Sequence, residues 1–206
     1  NILNNNIGPL VTGTPAMTAT GAVQTIGIST SVVSVNPVID GNIIHDLWNY
    51  APSNNTGAAG VSVLGILLNN TSITAPVSIS NNVIYNLSNT ANTTLVSFAP
   101  YIQGIFLNAA TGSTITVDRN FIHSFAIPNW ILSGTATGIP NFSAINTVTG
   151  STVMISNNMI RLGVDGNGNS VTQPTGIRAI YRQATGGTFT IYHNSVYVGG
   201  IGVSAS

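Results

Sequence analysis

A short pattern recurs six times along the 206-residue chain, and its near-constant spacing leaves few folds open. The pattern is an apolar residue, two polar or small residues, an asparagine, then mixed apolar residues. It reads Leu3-Asn4-Asn5-Asn6, Ile39-Asp40-Gly41-Asn42, Ile79-Ser80-Asn81-Asn82, Val117-Asp118-Arg119-Asn120, Ile155-Ser156-Asn157-Asn158 and Ile191-Tyr192-His193-Asn194. Asn6, Asn42, Asn82, Asn120, Asn158 and Asn194 are separated by 36, 40, 38, 38 and 36 residues. Other columns travel with them. Two residues after the asparagine stand Ile44, Ile84, Ile122, Ile160 and Val196, with Gly8 breaking the column in the first unit. Five residues before it stand Val77, Ile115, Val153 and Phe189, with Pro37 as the exception. Further upstream come Ile28, Ile66, Ile105, Ile145 and Ile180, several of them following Gly closely, as in Gly65-Ile66 and Gly104-Ile105.

Within a unit the period is two. Thr114-Ile115-Thr116-Val117-Asp118 and Thr188-Phe189-Thr190-Ile191-Tyr192 alternate apolar with polar or outward residues, which marks strands with one face inward. Each unit offers three short strands, for example near Gly104–Asn108, Ser113–Asp118 and Phe121–Phe125, followed by a loop of roughly 17 to 19 residues. A unit of this kind cannot bury its apolar face alone. Stacking units so that each strand pairs with its counterpart about 4.8 Å away turns the Ile and Val columns into a continuous core. An inward asparagine at each corner then bonds to its copies above and below and to the turn backbone, as buried amides must. The expected architecture is an all-β, right-handed parallel β-helix over residues 1–206, a single repeat domain of five to six rungs of 36–40 residues with an internal Asn ladder. A β-sandwich would also alternate, but would not require the same residue at the same place in six units. A propeller needs about four strands per blade.

Composition suits that reading. Apolar residues make up 43%, enough for a core, while only 4% are charged against roughly 25% in ordinary soluble domains. The charges are four Arg and four Asp, and net charge is zero. Four scattered Arg cannot neutralise a phosphate backbone, so a nucleic-acid partner is not expected. No apolar run reaches the roughly 18 residues of a spanning helix, so membrane insertion is not expected either. Cysteine is absent.

β-Helices can carry carbohydrate chemistry, and this sequence offers few groups that could perform it. Asp40 and Asp118 share a column two rungs apart, about 10 Å, which exceeds the spacing of a glycosidase pair. Ser80 lies between them, and the plainer reading is two exposed strand positions, Asp40 and Asp118, that differ by drift from Ser80, Ser156 and Tyr192. A lyase would need a base and an acid cluster for Ca²⁺; Arg119, Arg161, Arg178 and Arg182 have no such cluster beside them in sequence. Asp165, Asn167 and Asn169 resemble the opening of a calcium loop, but Ser170 and Gly176 stand where Gly and Glu are expected, and a plain turn explains them better. His45, Tyr85, His123, Arg161 and Tyr197 form an outward column three residues after the asparagines. Two His two rungs apart make a poor metal site. Stacking under the loops is the plainer reading, and contact with a glycan or a partner chain the sharper one. Ile7, Ile43, Val83, Phe121 and Met159 form a second outward column, an exposed apolar stripe unless the loops fold over it. The outward Thr and Ser positions are too irregular for an ice-binding array, and no nucleophile elbow is present.

The segments Ile79–Leu87, Val117–Phe125 and Thr188–Gly200 resemble the pectin-lyase-like, right-handed β-helix repeats of very large secreted bacterial surface proteins. That resemblance implies an adhesin-like or filament-forming protein exported to the cell surface or the extracellular space. No catalytic residue and no cofactor are expected from the candidate groups, and the expected partners are copies or neighbouring domains of the same long chain, with a glycan as a further candidate. The sequence opens at Asn1 with no initiator Met or leader pattern, and neither end carries a capping motif. It is accordingly read as a piece of a longer chain, with end-to-end stacking of copies as the alternative. The expected role is a rigid stalk or fibre module, with a carbohydrate-binding or carbohydrate-cleaving β-helix as the other possibility.

Overall fold

The computed structural model describes residues 1–14, 23–30, 36–51, 61–72, 74–91, 100–130, 139–173 and 175–200. Over these the chain contains strands and no helix. A first winding holds β1 (Ile2–Leu3), β2 (Asn6–Ile7), β3 (Leu10–Thr12) and β4 (Thr25–Thr30). The next two turns are β5 (Val38–Asp40), β6 (Ile43–Asn49) and β7 (Val63–Asn70), then β8 (Val77–Ser80), β9 (Val83–Asn89) and β10 (Tyr101–Ala109). Two more follow: β11 (Thr114–Asp118), β12 (Phe121–Ala126) and β13 (Asn141–Thr147), then β14 (Thr152–Ser156), β15 (Met159–Leu162) and β16 (Gly176–Arg182). β17 (Phe189–Tyr192) and β18 (Ser195–Val198) close the described chain.

Strands of like position pair in parallel to make three sheets, ordered β1-β5-β8-β11-β14-β17, β2-β6-β9-β12-β15-β18 and β4-β7-β10-β13-β16, with β3 pairing β6 beside the second. This is a parallel β-solenoid. About four turns are complete, fewer than the five to six rungs expected from the asparagine count, because the windings at either end have very short strands or only two. The linkers into the third sheet are also shorter than expected. They span residues 90–100 and 127–140 in two of the turns, because β10 begins at Tyr101 and takes up residues assigned to the loop.

The register explains the sequence columns. Ile2, Ile39, Ile79, Val117, Ile155 and Ile191 pair in succession on the first sheet. Ile7, Ile44, Ile84, Ile122, Ile160 and Val196 do so on the second. Ile28, Ile66, Ile105, Ile145 and Ile180 do so on the third. The central members of these rows meet in one buried cluster, where each fully enclosed Ile contributes about 1.5–3 kcal/mol, while Ile191 and Val196 in the last winding are exposed. The Gly8 interruption disappears, since Ile7 is the true partner of Ile44.

The corner before each second-sheet strand needs one residue in the left-handed region. Asn4, Gly41, Asn81, Arg119, Asn157 and His193 fill it, at φ of 54°, 67°, 53°, 53°, 55° and 54°. Asn and Gly reach that region at low cost, because Gly has no Cβ and the short Asn amide can bond locally. The two polar or small residues of the repeat are thus one outward strand residue and one hinge.

The third sheet departs from simple alternation. β13 is buried along its whole length, and Leu64 and Phe106 join a second apolar cluster on the outer side. A parallel sheet covered on both faces reads in this way. Among the described residues, four buried polar atoms on its strands lack a hydrogen-bond partner: Asn70 Nδ2, Gln103 Oε1, Asn146 Oδ1 and Thr147 Oγ1. Thr147 pairs with Leu107, which pairs in turn with Leu68, so this hydroxyl stands in an otherwise apolar inward column. Thr147→Val keeps the shape and removes the unsatisfied hydroxyl. We expect a gain of about 1 kcal/mol in urea unfolding, with the slope of the transition unchanged; a loss of stability would mean that the hydroxyl is paired.

Candidate functional site on the outer face of the second sheet

Polar side chains are organised here by column, each bonding along the solenoid axis. The inner column is the asparagine ladder. Asn42 Oδ1 accepts from Asn5 N at 3.0 Å and Asn5 Nδ2 at 2.9 Å. Asn82 serves Asn42, Asn120 serves Asn82, Asn158 serves Asn120 and Asn194 serves Asn158 in the same way. Each Nδ2 also donates to strand carbonyls, as Asn120 does to Ile79 O at 3.0 Å and Asp118 O at 3.1 Å. Five of the six asparagines read from sequence are in place; Asn6 is not. The ladder residue is Asn5, and Asn6 pairs with Ile43 on the outer side, where its Oδ1 lies 2.9 Å from His45 Nε2. A run of three asparagines hides this one-residue slip, because every frame offers the same side chain, while the slip moves the whole strand to the other face.

Two further ladders escaped the sequence reading. Asn49 and Asn89 are buried at the far end of the second sheet, and each Oδ1 caps the backbone N–H two residues on, at Ala51 and Ala91. The signal was an Asn-x-Ala triplet present in only two units. Ser113, Thr149 and Ser151 form a buried hydroxyl chain before the first sheet, with oxygens 2.7 and 2.6 Å apart.

The acidic column is also a ladder. Asp40 Oδ1 accepts from Ser80 Oγ and Asn81 Nδ2, both at 2.7 Å. Asp118 Oδ1 accepts from Ser156 Oγ and Asn157 Nδ2, both at 2.8 Å. Ser80 and Ser156 are therefore bonded partners of the carboxylates in the turn before, and the difference between Asp and Ser in this column is complementarity, not drift. Arg119 lies 3.2 Å from Asp118 Oδ2 and donates through Nε to Asn81 Oδ1 at 3.0 Å. The Ser80 and Asn81 bonds hold the Asp40 carboxyl below its usual range. Its folded value is depressed, so the stabilisation is present above the ordinary carboxylate value and is lost as pH falls through the lowered one. Ser80→Ala should move the Asp40 titration upward toward the ordinary value in carbon-detected NMR; an unmoved titration would show that Ser80 does not hold it.

The outward column of His45, Tyr85, His123, Arg161 and Tyr197 is continuous in register. His45 and Tyr85 stack with centroids 5.4 Å apart and planes 12° apart, and Tyr85 and His123 at 5.2 Å and 3°. Phe121 lies 4.3 Å from His123. The ring faces are thus turned toward one another. His45 Nδ1 donates to Asp46 Oδ2 at 2.7 Å, and Asp46 Oδ1 accepts from Asn86. His123 Nδ1 sits 2.8 Å from Ser124 Oγ. Burial, and secondarily the Arg161 charge, hold His123 below the usual imidazole value, which favours its neutral form.

Asp165, Asn167 and Asn169 do come together, in a small hairpin closed by the antiparallel bridge Val164–Ser170. Asp165 Oδ1 accepts the backbone N–H of Asn167 at 2.9 Å and of Asn169 at 2.8 Å, a self-capped turn. Among the described residues, no group of three or more His, Cys, Asp or Glu could hold a metal. A cavity of about 160 Å³ opens beside the hairpin between Ala126–Pro128 and Ser170–Gln173. The apolar stripe is exposed at Ile43 (43%) and Met159 (53%) and half-buried at Val83 and Phe121. Part of the loop sequence expected to cover it lies outside the described residues.

No family model, no curated protein and no solved structure matches the chain.

Proposed function

We propose that the chain is a structural module, a rigid stalk or fibre segment of a secreted or cell-surface protein, and that its side-chain chemistry serves the rod itself. The observation that carries this reading is that the asparagine, carboxylate and ring columns each make polar or π contacts to the next turn along the axis. A strand ladder reinforced in this way has each turn holding its two neighbours. Surface placement, and membership of a long adhesin-like chain, rest on the resemblance of the repeat alone. Single-molecule stretching tests the mechanical role: pulled along the axis, the module should unfold at high force and turn by turn. Unfolding at the low force of an ordinary helical domain would remove the proposal.

Carbohydrate binding through His45, Tyr85 and His123 has weaker support, because the ring faces that would lie on a sugar lie on each other. The carboxylates of Asp40 and Asp118 are each engaged by a Ser and an Asn, which disfavours carbohydrate cleavage at that pair. Binding on a glycan array that is lost in Tyr85→Ala and His123→Ala would restore the recognition reading.

A further inference from the structure

We propose that two copies of this chain pair face to face through the outer side of the second sheet, about a two-fold axis that runs along the strands between β9 and β12. This goes beyond the rod reading, since it names a lateral partner for the rod.

The face is built for contact. Ile43, Val83, Phe121 and Met159 stand in register on four successive strands without a charge among them. The outermost two are 43% and 53% exposed. An apolar stripe running across four strands marks an interaction surface. Its side chains are also self-complementary. The proposed axis exchanges β9 with β12 and β6 with β15. It sets the small Val83 against the large Phe121 of the second copy, and the compact Ile43 against the long, adaptable Met159. Small against large at facing positions is how two sheet faces interdigitate.

Charge selects the same arrangement. Asp46 lies at one end of the face, bonded to His45 and Asn86. Arg161 lies at the other end and takes part in no ion pair among the described residues. Three strand spacings separate their strands within one chain, about 14 Å, too far to pair. The two-fold axis brings Arg161 of each copy beside the His45–Asp46 pair of the other, twice per dimer. Because the axis falls between strands, Arg161 never meets its own copy. A neutral His123 facing Tyr85 of the second copy adds no repulsion. The footprint is small, so the dimer is of the weak class and depends on concentration.

The test is sedimentation velocity over a concentration series of the full chain. Wild type should pass from monomer to dimer. Val83→Phe, which sets Phe against Phe, and Phe121→Val, which sets Val against Val, should each weaken the dimer at least about tenfold. The double variant should restore it, because the exchange regenerates the same facing pairs. Met159→Asp, at a half-exposed site, should abolish association with the melting temperature unchanged, and Arg161→Glu should weaken it. A chain that stays monomeric throughout overturns the proposal. So does association that ignores these substitutions, or a double variant no better than the singles. None of those results touches the mechanical reading, which the stretching experiment decides.

Discussion

Replacing Asn120 with Ala is expected to destabilise the solenoid by about 3–5 kcal/mol, near the limit of what a domain of this size survives. The side chain is buried at 1% exposure, in the middle of the ladder. Its Oδ1 receives the backbone and side-chain nitrogens of Asn82. Its Nδ2 serves Ile79 O, Asp118 O and Asn158 Oδ1. Alanine leaves these groups in a space that water cannot fill without widening the turn. An unmade bond there costs each group about 1–3 kcal/mol, partly offset where a carbonyl keeps its strand partner. Asn120→Asp should do no better, since a carboxylate keeps the accepting side and loses the donating one. Asn5→Ala supplies the contrast: Asn5 is exposed and has a ladder neighbour on one side only, so about 1 kcal/mol is expected. Asn6→Ala should leave the ladder intact. Urea unfolding of the four variants gives the ranking, and equal losses at Asn5 and Asn120 would refute the cumulative ladder.

The central columns were legible in the sequence because a parallel solenoid repeats an identical environment at every turn. One position that admits only Asn, or only Ile, then prints itself at a constant interval. What failed to print was whatever occurs once or twice. The Asn49 and Asn89 caps occupy two turns, and the Ser113–Ser151 hydroxyl chain links only neighbouring turns. The slip from Asn6 to Asn5 came from redundancy: Asn4, Asn5 and Asn6 take the left-handed corner, the ladder and the outer strand position, three tasks done by one residue type. The relation of Asp40 to Ser80 stayed hidden for a different cause. Column logic compares residues that share a position, whereas Asp40 and Ser80 share a bond, and complementary partners look like drift when only likeness is sought. The third sheet was hard to delimit because β13 is buried on both sides, which erases the alternation that locates strands.

Gly65→Val is expected to cost about 3 kcal/mol or more, and a failure to fold would agree with the same argument. Gly27, Gly65 and Gly104 lead directly into the Ile28, Ile66 and Ile105 positions of the third sheet. A Cβ on Gly65 would lie 2.6 Å from Gly104 O in the next turn and 2.6 Å from Ile84 Cγ2 across the core. A methyl group can turn aside, but the carbonyl belongs to the neighbouring backbone and moves only if that turn moves. At Gly104 the same obstruction appears, 2.6 Å from Ala144 O and 2.7 Å from Ile122 Cγ2. The column then changes to Ala144 and Ala179 in the last two turns, so the channel there admits one methyl group. The substitutions should therefore be graded by turn. Gly65→Ala should cost about 1–2 kcal/mol through overpacking, while Ala144→Gly should cost about 1 kcal/mol through lost packing and added chain entropy. Thermal unfolding of the three variants checks the order. If Gly65→Val melted within a degree or two of wild type, close approach of turns would not be what keeps glycine in this column, and the Gly–Ile pairs would need another explanation.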